Sequence, residues 1–260
     1  LFFVESRLGA AGMEGPLLLV FFLSAALAAP LWGRAAEQVG TRRVLLVAMG
    51  LAVVVFGFAL TLGSGDVLAF GGVFLIGVGL FMVMYGIIYA LLENDVRRIL
   101  AYSIVNQVGF MVCAVGIGTE MALNGAAAHA FAHILYKSLL FMSVGAVLFR
   151  TGTAKGSELG GLYKTMPLTM IFCVIGAASI SAFPLFSGFI SKSLILSAAS
   201  HDGYYIVWGA LLFASAGVFH HSGIKIPYFA FFAHDSGMRP KEAPLHMLLA
   251  MGIASFLWIN

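Results

Sequence analysis

Residues 121–149 read MALNGAAAHAFAHILYKSLLFMSVGAVLF, and they give the clearest indication of the fold class of the chain. It is longer than the roughly 20 mostly apolar residues that a helix needs to cross a bilayer. Its apolar residues run continuously instead of alternating, which is not typical of a membrane β-strand. His129, His133 and Lys137 are spaced four residues apart, so successive helical turns place them on one face. The stretch therefore predicts a membrane helix that carries a row of three basic side chains.

The whole chain has the same apolar character. Of its 260 residues, 61% are hydrophobic and 10% are charged, and the mean hydropathy is +1.02. Soluble domains carry about 25% charged residues, so the composition excludes a cytosolic enzyme and predicts an all-α, polytopic transmembrane bundle. The net charge of +3, with no basic run among aromatic residues, excludes nucleic acid as a partner. Seven or eight helices are expected, at 15–32, 44–62, 67–92, 99–118, 121–149, 167–190, 204–222 and 245–259.

The connections between these predicted helices alternate in charge. Even-numbered connections contain Asp66, Glu120, His201 and Asp202, without Lys or Arg. Because positively charged loops stay in the cytoplasm, the odd-numbered connections are predicted to be cytoplasmic. These contain most of the 14 Lys and Arg residues, namely Arg34, Arg42 and Arg43 in the first, Arg97 and Arg98 in the third, Arg150, Lys155 and Lys164 in the fifth, and Lys225, Arg239 and Lys241 in the seventh.

The basic row in 121–149 is interpreted as a proton path. Lys137 lies near the middle of its span, where a cation costs about 2.5–3.5 kcal/mol on insertion scales and usually faces a bundle interior. Histidine titrates near neutral pH, which suits a relay. The alternative is that His129 and His133 are packing histidines and that Lys137 snorkels to the membrane surface. A zinc site at the two histidines lacks an acidic or cysteine ligand in the same helix, so no metal or cofactor is expected.

A second feature is an interruption within residues 167–199, PLTMIFCVIGAASISAFPLFSGFISKSLILSAA. Pro184 and Gly188 interrupt an otherwise continuous apolar run, and proline removes a backbone hydrogen bond from a helix. Broken helices at membrane depth are tolerated where they line cavities or pack within protein. Lys192 follows the break and is predicted to face the same path as Lys137. The alternative is an ordinary lysine at the membrane interface.

Two further predicted helices contain polar residues. Those at the cytoplasmic end of helix 99–118 are candidates for lining an access route for protons. The alternative is that they only form hydrogen bonds to neighbouring helices. They are Tyr102, Ser103, Asn106 and Gln107. His220 and His221 end the predicted span 204–222 and are expected at the membrane interface.

Four stretches together resemble a known family. They are LLENDVRRILAYSIVNQVGFM, AHAFAHILYKSLLF, ELGGLYKTMPL and SAFPLFSGFISKS, and their order and spacing both fit. They resemble the antiporter-like membrane subunits of respiratory complex I (NADH-quinone oxidoreductase) and of Mrp-type multisubunit cation/proton antiporters. The resemblance covers about residues 80–260. With the tail GIKIPYFAFFAHDSGMRPKEAP, the chain is most similar to the D-type subunits of the Mrp antiporters.

The resemblance implies a fold of two inverted repeats of five helices, of which this chain carries the second. The glutamate and the broken-helix lysine of the first repeat have no counterpart here. The resemblance also implies that His129, His133, Lys137 and Lys192 pass protons along a central hydrated axis. Expected partners are other membrane subunits, the lipid bilayer, protons, and sodium or potassium, in a bacterial inner membrane. No catalytic site is expected in this chain, and NADH or quinone chemistry would belong to partner subunits.

Residues 1–79 resemble a different family, the major facilitator transporters, through the loop GRAAEQVGTRR at 33–43. The alternative is a generic basic loop between two helices. The chain begins at Leu1, before its first methionine, and its first residues do not have the pattern of a signal peptide. It ends at Asn260 within an apolar run. These features predict a fragment. The predicted function is a proton-translocating membrane subunit with only the second half-channel. The alternatives are a facilitator-type symporter fragment and a structural subunit without transport activity.

Overall fold

The computed structural model describes the backbone of residues 67–259 and the side chains of residues 71–256. The chain divides into two compact units, Leu1–Gly77 and Val78–Asn260. The described part contains seven α-helices. They are α1 Val67–Leu92, α2 Val96–Ile117, α3 Glu120–Thr151, α4 Pro167–Ile180, α5 Ser187–His201, α6 Tyr205–Val218 and α7 Leu245–Ile259.

Three of the described helices, α1 to α3, are long and apolar enough to cross a membrane. The spans predicted at 67–92, 99–118 and 121–149 agree with them to within three residues at each end. The predicted helices at 15–32 and 44–62 fall outside the described residues. The transmembrane helical bundle predicted from the sequence is therefore confirmed for the part of the chain that the structure describes.

Helix α3 is the centre of the second unit and packs against α2, α4, α5 and α7. Glycines allow two of these contacts to be close. A Cβ atom at Gly125 of α3 would lie 2.9 Å from Cγ1 of Ile195, and one at Gly176 of α4 would lie 3.0 Å from Cγ of Leu140. Membrane helices commonly use small residues to bring backbones together. These two glycines bring α5 and α4 close to the central helix.

Helices α4 and α5 are two halves of one interrupted span, as predicted. The break comprises residues 181–186, so within the span predicted at 167–190 the first half-helix ends at Ile180 and the second begins at Ser187. Ala182 and Leu185, on either side of Pro184, have φ angles of +56° and +76°, which a right-handed helix excludes. The proline and these two residues together stop the helix.

Gly188, which was predicted to belong to the break, lies in the first turn of α5. A Cβ atom at this position would collide with the carbonyl oxygen of Ser179 near the end of α4. The glycine is therefore required for a close approach between the two half-helices, rather than for ending a helix.

The helix that follows α5 is longer than the predicted span 204–222. Helix α6 continues without interruption through the π-helical turns Phe219–Lys225 and Tyr228–Phe232. Lys225, predicted to lie in a connection, is half-buried, and its Nζ donates to the carbonyl oxygens of Leu91 and Glu93 at 2.8 and 2.6 Å. The predicted boundary at residue 222 was wrong, since the helix continues to Phe232 and Lys225 within it binds the carbonyl end of α1.

The described connections gather at the two opposite ends of the bundle. At one end, Nδ2 of Asn94 after α1 donates to Oγ of Ser157 after α3 at 3.0 Å. At the same end, Asp235 binds Arg239 and Lys164, and these two cations hold the pKa of its carboxyl well below the usual range. At the other end, Oγ1 of Thr119 before α3 donates to Asp202 after α5 at 2.9 Å.

Candidate proton path

Helices α2 and α3 face each other with a row of polar side chains on each. Within each row, every residue lies three or four residues from another member of the row, which places them on one face of the helix. All of these side chains are at most 8% exposed, so each needs hydrogen-bond partners inside the protein. The rows are Ser103, Asn106 and Gln107 in α2, and His129, His133, Tyr136 and Lys137 in α3.

A backbone carbonyl of α1 fixes the orientation of the central polar groups. Nδ2 of Asn106 donates to the carbonyl of Val83 at 2.9 Å, so Oδ1 of Asn106 is left to accept from Nε2 of Gln107 at 2.7 Å. Oε1 of Gln107 then accepts from the hydroxyl of Tyr136 and from Nε2 of His129, both at 3.1 Å. An amide oxygen can only accept, so neutral His129 carries its hydrogen on Nε2 and a lone pair on Nδ1.

The free lone pair of His129 points to the second half of the broken helix. The hydroxyl of Ser191 in α5 lies 2.9 Å from Nδ1 and donates to it. The same hydroxyl lies 3.4 Å from the carbonyl of Gly188. If Nδ1 gains a proton, it can donate to the serine oxygen while the serine hydrogen turns to that carbonyl. His129 can therefore change charge and keep a hydrogen bond on both nitrogens.

The two predicted lysines are buried and are held by neutral oxygens. Lys137 is 4% exposed, and its Nζ donates to Oγ of Ser103 at 2.8 Å. Lys192 is 1% exposed, and its Nζ donates to the carbonyl of Ile180 at 2.7 Å and lies 5.6 Å from the ring centre of Phe110. Both ammonium groups thus point into the bundle rather than to its surface.

The bond between Lys192 and Ile180 completes the end of helix α4. The last carbonyl groups of a helix have no partner within it, and they carry partial negative charge. Backbone N–H groups of the break satisfy the carbonyls of residues 177–179. The remaining carbonyl, that of Ile180, is bound by the lysine from the following half-helix. The break therefore creates the acceptor for this buried cation.

The other predicted residues occupy different positions. The ring of His133 lies 6.3 Å from that of His129, and its buried Nε2 has no hydrogen-bond partner among the described residues. Tyr102 is half-buried, and its ring stacks 5.5 Å from that of Tyr89 instead of joining the row of Ser103. Pro184 is exposed at the break. The structure therefore groups three of the four candidate lining residues with the basic row and sets Tyr102 apart.

Sequence reasoning missed four polar residues of this site. Tyr136 and Ser191 complete the bonds of Gln107 and His129, and helical spacing from His129 indicates the position of Tyr136. His221 and Ser222 are fully buried. The prediction that His221 lies at the membrane interface was wrong, because the helix continues for more than two turns beyond it. His220, its neighbour, is exposed.

One open cavity lies at the end of the bundle where Thr119 meets Asp202. Its volume is about 480 Å³, and Glu120, Asn124 and His201 are among its lining residues. Among the described residues, His, Cys, Asp and Glu side chains form no group of three or more that could hold a metal ion. The side chains of the buried site are amines, imidazoles, amides and hydroxyls.

Comparison with known proteins assigns the chain to a family. The family model described as NADH:quinone oxidoreductase/Mrp antiporter, transmembrane, matches residues 9–227. The chain belongs to this family. The resemblance predicted from four sequence stretches is thereby confirmed, and the apolar helices and the family together identify an integral membrane protein. The match includes most of residues 1–79, for which a separate facilitator-like origin stays a prediction.

Three similar proteins indicate what fraction of a longer protein this chain corresponds to. The D subunit of the Na(+)/H(+) antiporter of Alkalihalophilus pseudofirmus is 38% identical over 152 residues, which are 58% of this chain and 30% of the relative. The solved Mrp complex from Dietzia matches with 28% identity and a TM-score of 0.66, over 75% of this chain and 22% of that one. The archaeal membrane-bound sulfane sulfur reductase matches with 33% identity and a TM-score of 0.69, over 72% and 31%. The chain spans less than a third of each of these proteins.

Proposed function

We propose that this chain is part of a proton-translocating membrane subunit of a multisubunit monovalent cation/proton antiporter, similar to the D-type subunits of Mrp antiporters, or of a related NADH-quinone oxidoreductase. It contributes the second half-channel. The observation that carries the proposal is the buried set of Lys137, His129 and Lys192, joined to α2 and α5 by hydroxyl and amide groups. The family assignment supports the same function.

The hydrogen-bond acceptors of Lys137 and Lys192 allow both lysines to lose their protons. Ser103 and Ile180 offer neutral oxygen atoms, which compensate a buried charge less well than a carboxylate does. A charged amine is therefore costly at both positions, and the neutral form becomes accessible. Either lysine can release a proton when a neighbouring site becomes charged.

His129 supplies the intermediate position between the two lysines. Its two hydrogen bonds survive the gain of a proton, because Ser191 can reverse its direction of donation. The stacked His133, with a buried Nε2 that makes no hydrogen bond in the described part, offers the next acceptor toward Lys137. Water molecules between these groups would complete the path.

The setting of this function is proposed from the relatives and the charge pattern. One relative is the D subunit of a Na(+)/H(+) antiporter, and one similar solved structure is an Mrp complex. We expect this chain to assemble with other membrane subunits in a lipid bilayer and to act on protons together with sodium or potassium. The bacterial inner membrane is the expected location. The end of the bundle that carries Arg97, Lys155 and Arg239 would then face the cytoplasm.

Replacement of Lys137 tests the proposed function. Lys137→Met, made in the complete complex and assayed as proton or sodium flux in membrane vesicles, removes the titratable amine while it keeps an unbranched side chain. We expect flux to fall by at least about tenfold, because a positioned proton-transfer group typically contributes about 10²–10⁴-fold to a rate. Lys241→Met changes an exposed lysine and should leave flux unchanged. Undiminished flux in Lys137→Met, with normal assembly, would falsify the assignment.

Lys192→Ala separates this function from that of a structural subunit. The substitution removes the ammonium that binds Ile180, and the neighbouring subunits should still co-purify. A transporting subunit loses flux in this variant. A subunit that only supports assembly would leave the flux of the complex as it is.

A further inference from the structure

His221 is a buried histidine whose protonation pattern follows from its contacts. It is fully buried, and Nδ1 lies 2.9 Å from the carbonyl oxygen of Gly217, one turn earlier in the helix. A carbonyl only accepts hydrogen bonds, so neutral His221 carries its hydrogen on Nδ1. The lone pair therefore lies on Nε2, a buried atom without a hydrogen-bond partner among the described residues. A buried acceptor without a partner is costly and indicates a site for a proton or a water molecule.

Hydroxyl groups connect the neighbourhood of His221 to the buried lysine. Oγ of Ser222, the next residue, donates to Oγ of Ser103 at 3.4 Å. The same oxygen of Ser103 accepts from Nζ of Lys137 at 2.8 Å. Serine hydroxyls can donate and accept at once, and their hydrogens can rotate. When the hydroxyl of Ser222 turns so that it accepts from Ser103, the pair can pass a proton from Lys137 toward Ser222.

The local helix geometry presents both residues to the interior. His221 and Ser222 lie in the π-helical turns Phe219–Lys225, a rare conformation that is frequent at functional sites. Lys225 follows one turn later and binds the carbonyls of Leu91 and Glu93 at the connection between α1 and α2. His221 therefore lies between Lys137 and the end of the bundle that carries the basic connections.

We propose that His221 is a proton-accepting residue on a branch of the path that leads from Lys137 toward this basic end. The inference rests on the proposed function and adds a residue and a direction to it. In the transfer, the ammonium of Lys137 gives a proton to Oγ of Ser103, which passes its own hydroxyl proton to Ser222. Ser222 passes its hydroxyl proton through one bridging water to Nε2 of His221. The products are a neutral amine and an imidazolium, with both hydroxyls restored.

Two substitutions at His221 distinguish proton acceptance from packing. His221→Asn places an amide N–H where Nδ1–H was, so the bond to Gly217 is kept and the acceptor nitrogen is lost. His221→Gln places an amide near the position of Nε2, which can hydrogen-bond but cannot take up a proton. In the complete complex we expect both variants to assemble and to lose about tenfold or more in vesicle flux. The matched control His220→Asn changes the exposed neighbour and should transport as the wild type does.

The outcomes separate this inference from the proposed function. If His221→Asn or His221→Gln transports normally while Lys137→Met does not, the branch through His221 is wrong and the function of Lys137 stands. If Lys137→Met also transports normally, the proposed function fails as well. Should neither His221 variant assemble, Ser222→Ala decides, because it removes one hydroxyl, and normal flux in this variant overturns the branch.

Discussion

Among single residues, one backbone carbonyl sets the direction of the hydrogen bonds in the site. The carbonyl of Val83 orients Asn106, which orients Gln107, which in turn selects the tautomer of His129. In a low-dielectric interior such chains are cooperative, and an incomplete chain is costly. The position of the exchangeable proton on His129 is therefore determined by a residue on another helix that has no titratable group.

Substitution of Gln107 tests this chain of hydrogen bonds. Gln107→Leu removes the acceptor of both His129 and Tyr136 and leaves their buried donors unsatisfied. We expect a loss of about 1–3 kcal/mol in stability and a clear fall in flux, measured by thermal denaturation of the complex and by vesicle transport. Tyr136→Phe removes one hydroxyl and keeps the bond between Gln107 and His129, so its flux should fall much less. Equal losses in the two variants would contradict the role of the histidine tautomer.

At the scale of helices, sequence predicted where spans exist better than where they end. The apolar runs identify α1, α2 and α3 because a membrane helix needs a fixed apolar length. The end of α4 coincides with the positive φ angles beside Pro184, and the late end of the α6 helix follows two π-helical turns, in the first of which Lys225 binds Leu91. These are long-range or backbone features, which residue type alone does not encode.

The site also combines residues that sequence spacing predicts with residues that only the folded structure brings together. The basic row of α3 follows from spacing, because the helical repeat alone places residues four apart on one face. The burial of His221 does not follow, since it depends on a π-helical continuation that local sequence did not indicate. The hydroxyl of Ser191 likewise joins the site only because the break positions α5 beside α3.

Gly188→Ala tests the close contact of the two half-helices. The new Cβ collides with the carbonyl of Ser179, and α5 must shift away from the end of α4. We expect a loss of about 1–3 kcal/mol, seen as a lower denaturation temperature, together with reduced flux because Lys192 moves away from Ile180.

Gly145→Ala is the matched control for this substitution. A Cβ atom at Gly145, within α3, meets open space, so alanine should be neutral or stabilise the helix by up to about 1 kcal/mol. If both alanine variants lowered the denaturation temperature equally, the contact at Gly188 would not be the cause.

At the scale of the whole molecule, the arrangement of connections gives the described bundle two chemically different ends. One end gathers Asn94, Ser157, Lys164 and Asp235, and the other gathers Thr119 with Asp202 and His201. Helix α2 runs from the first end to the second. Among the described connections, the basic ones therefore lie at the first end, and those without Lys or Arg lie at the second. The positive-inside rule then predicts that the first end is cytoplasmic.

Labelling of single introduced cysteines tests this orientation. The two native cysteines, Cys113 and Cys173, are buried, so the unmodified chain provides a low background for a membrane-impermeant maleimide. Ser157→Cys places an exposed thiol at the basic end, and His201→Cys places one at the opposite end, where the native side chain is 81% exposed. In intact cells the reagent should label His201→Cys, and it should label Ser157→Cys only after the membrane is permeabilised. The reverse pattern would place the basic connections outside the cytoplasm, and the branch through His221 would then lead to the opposite side of the membrane.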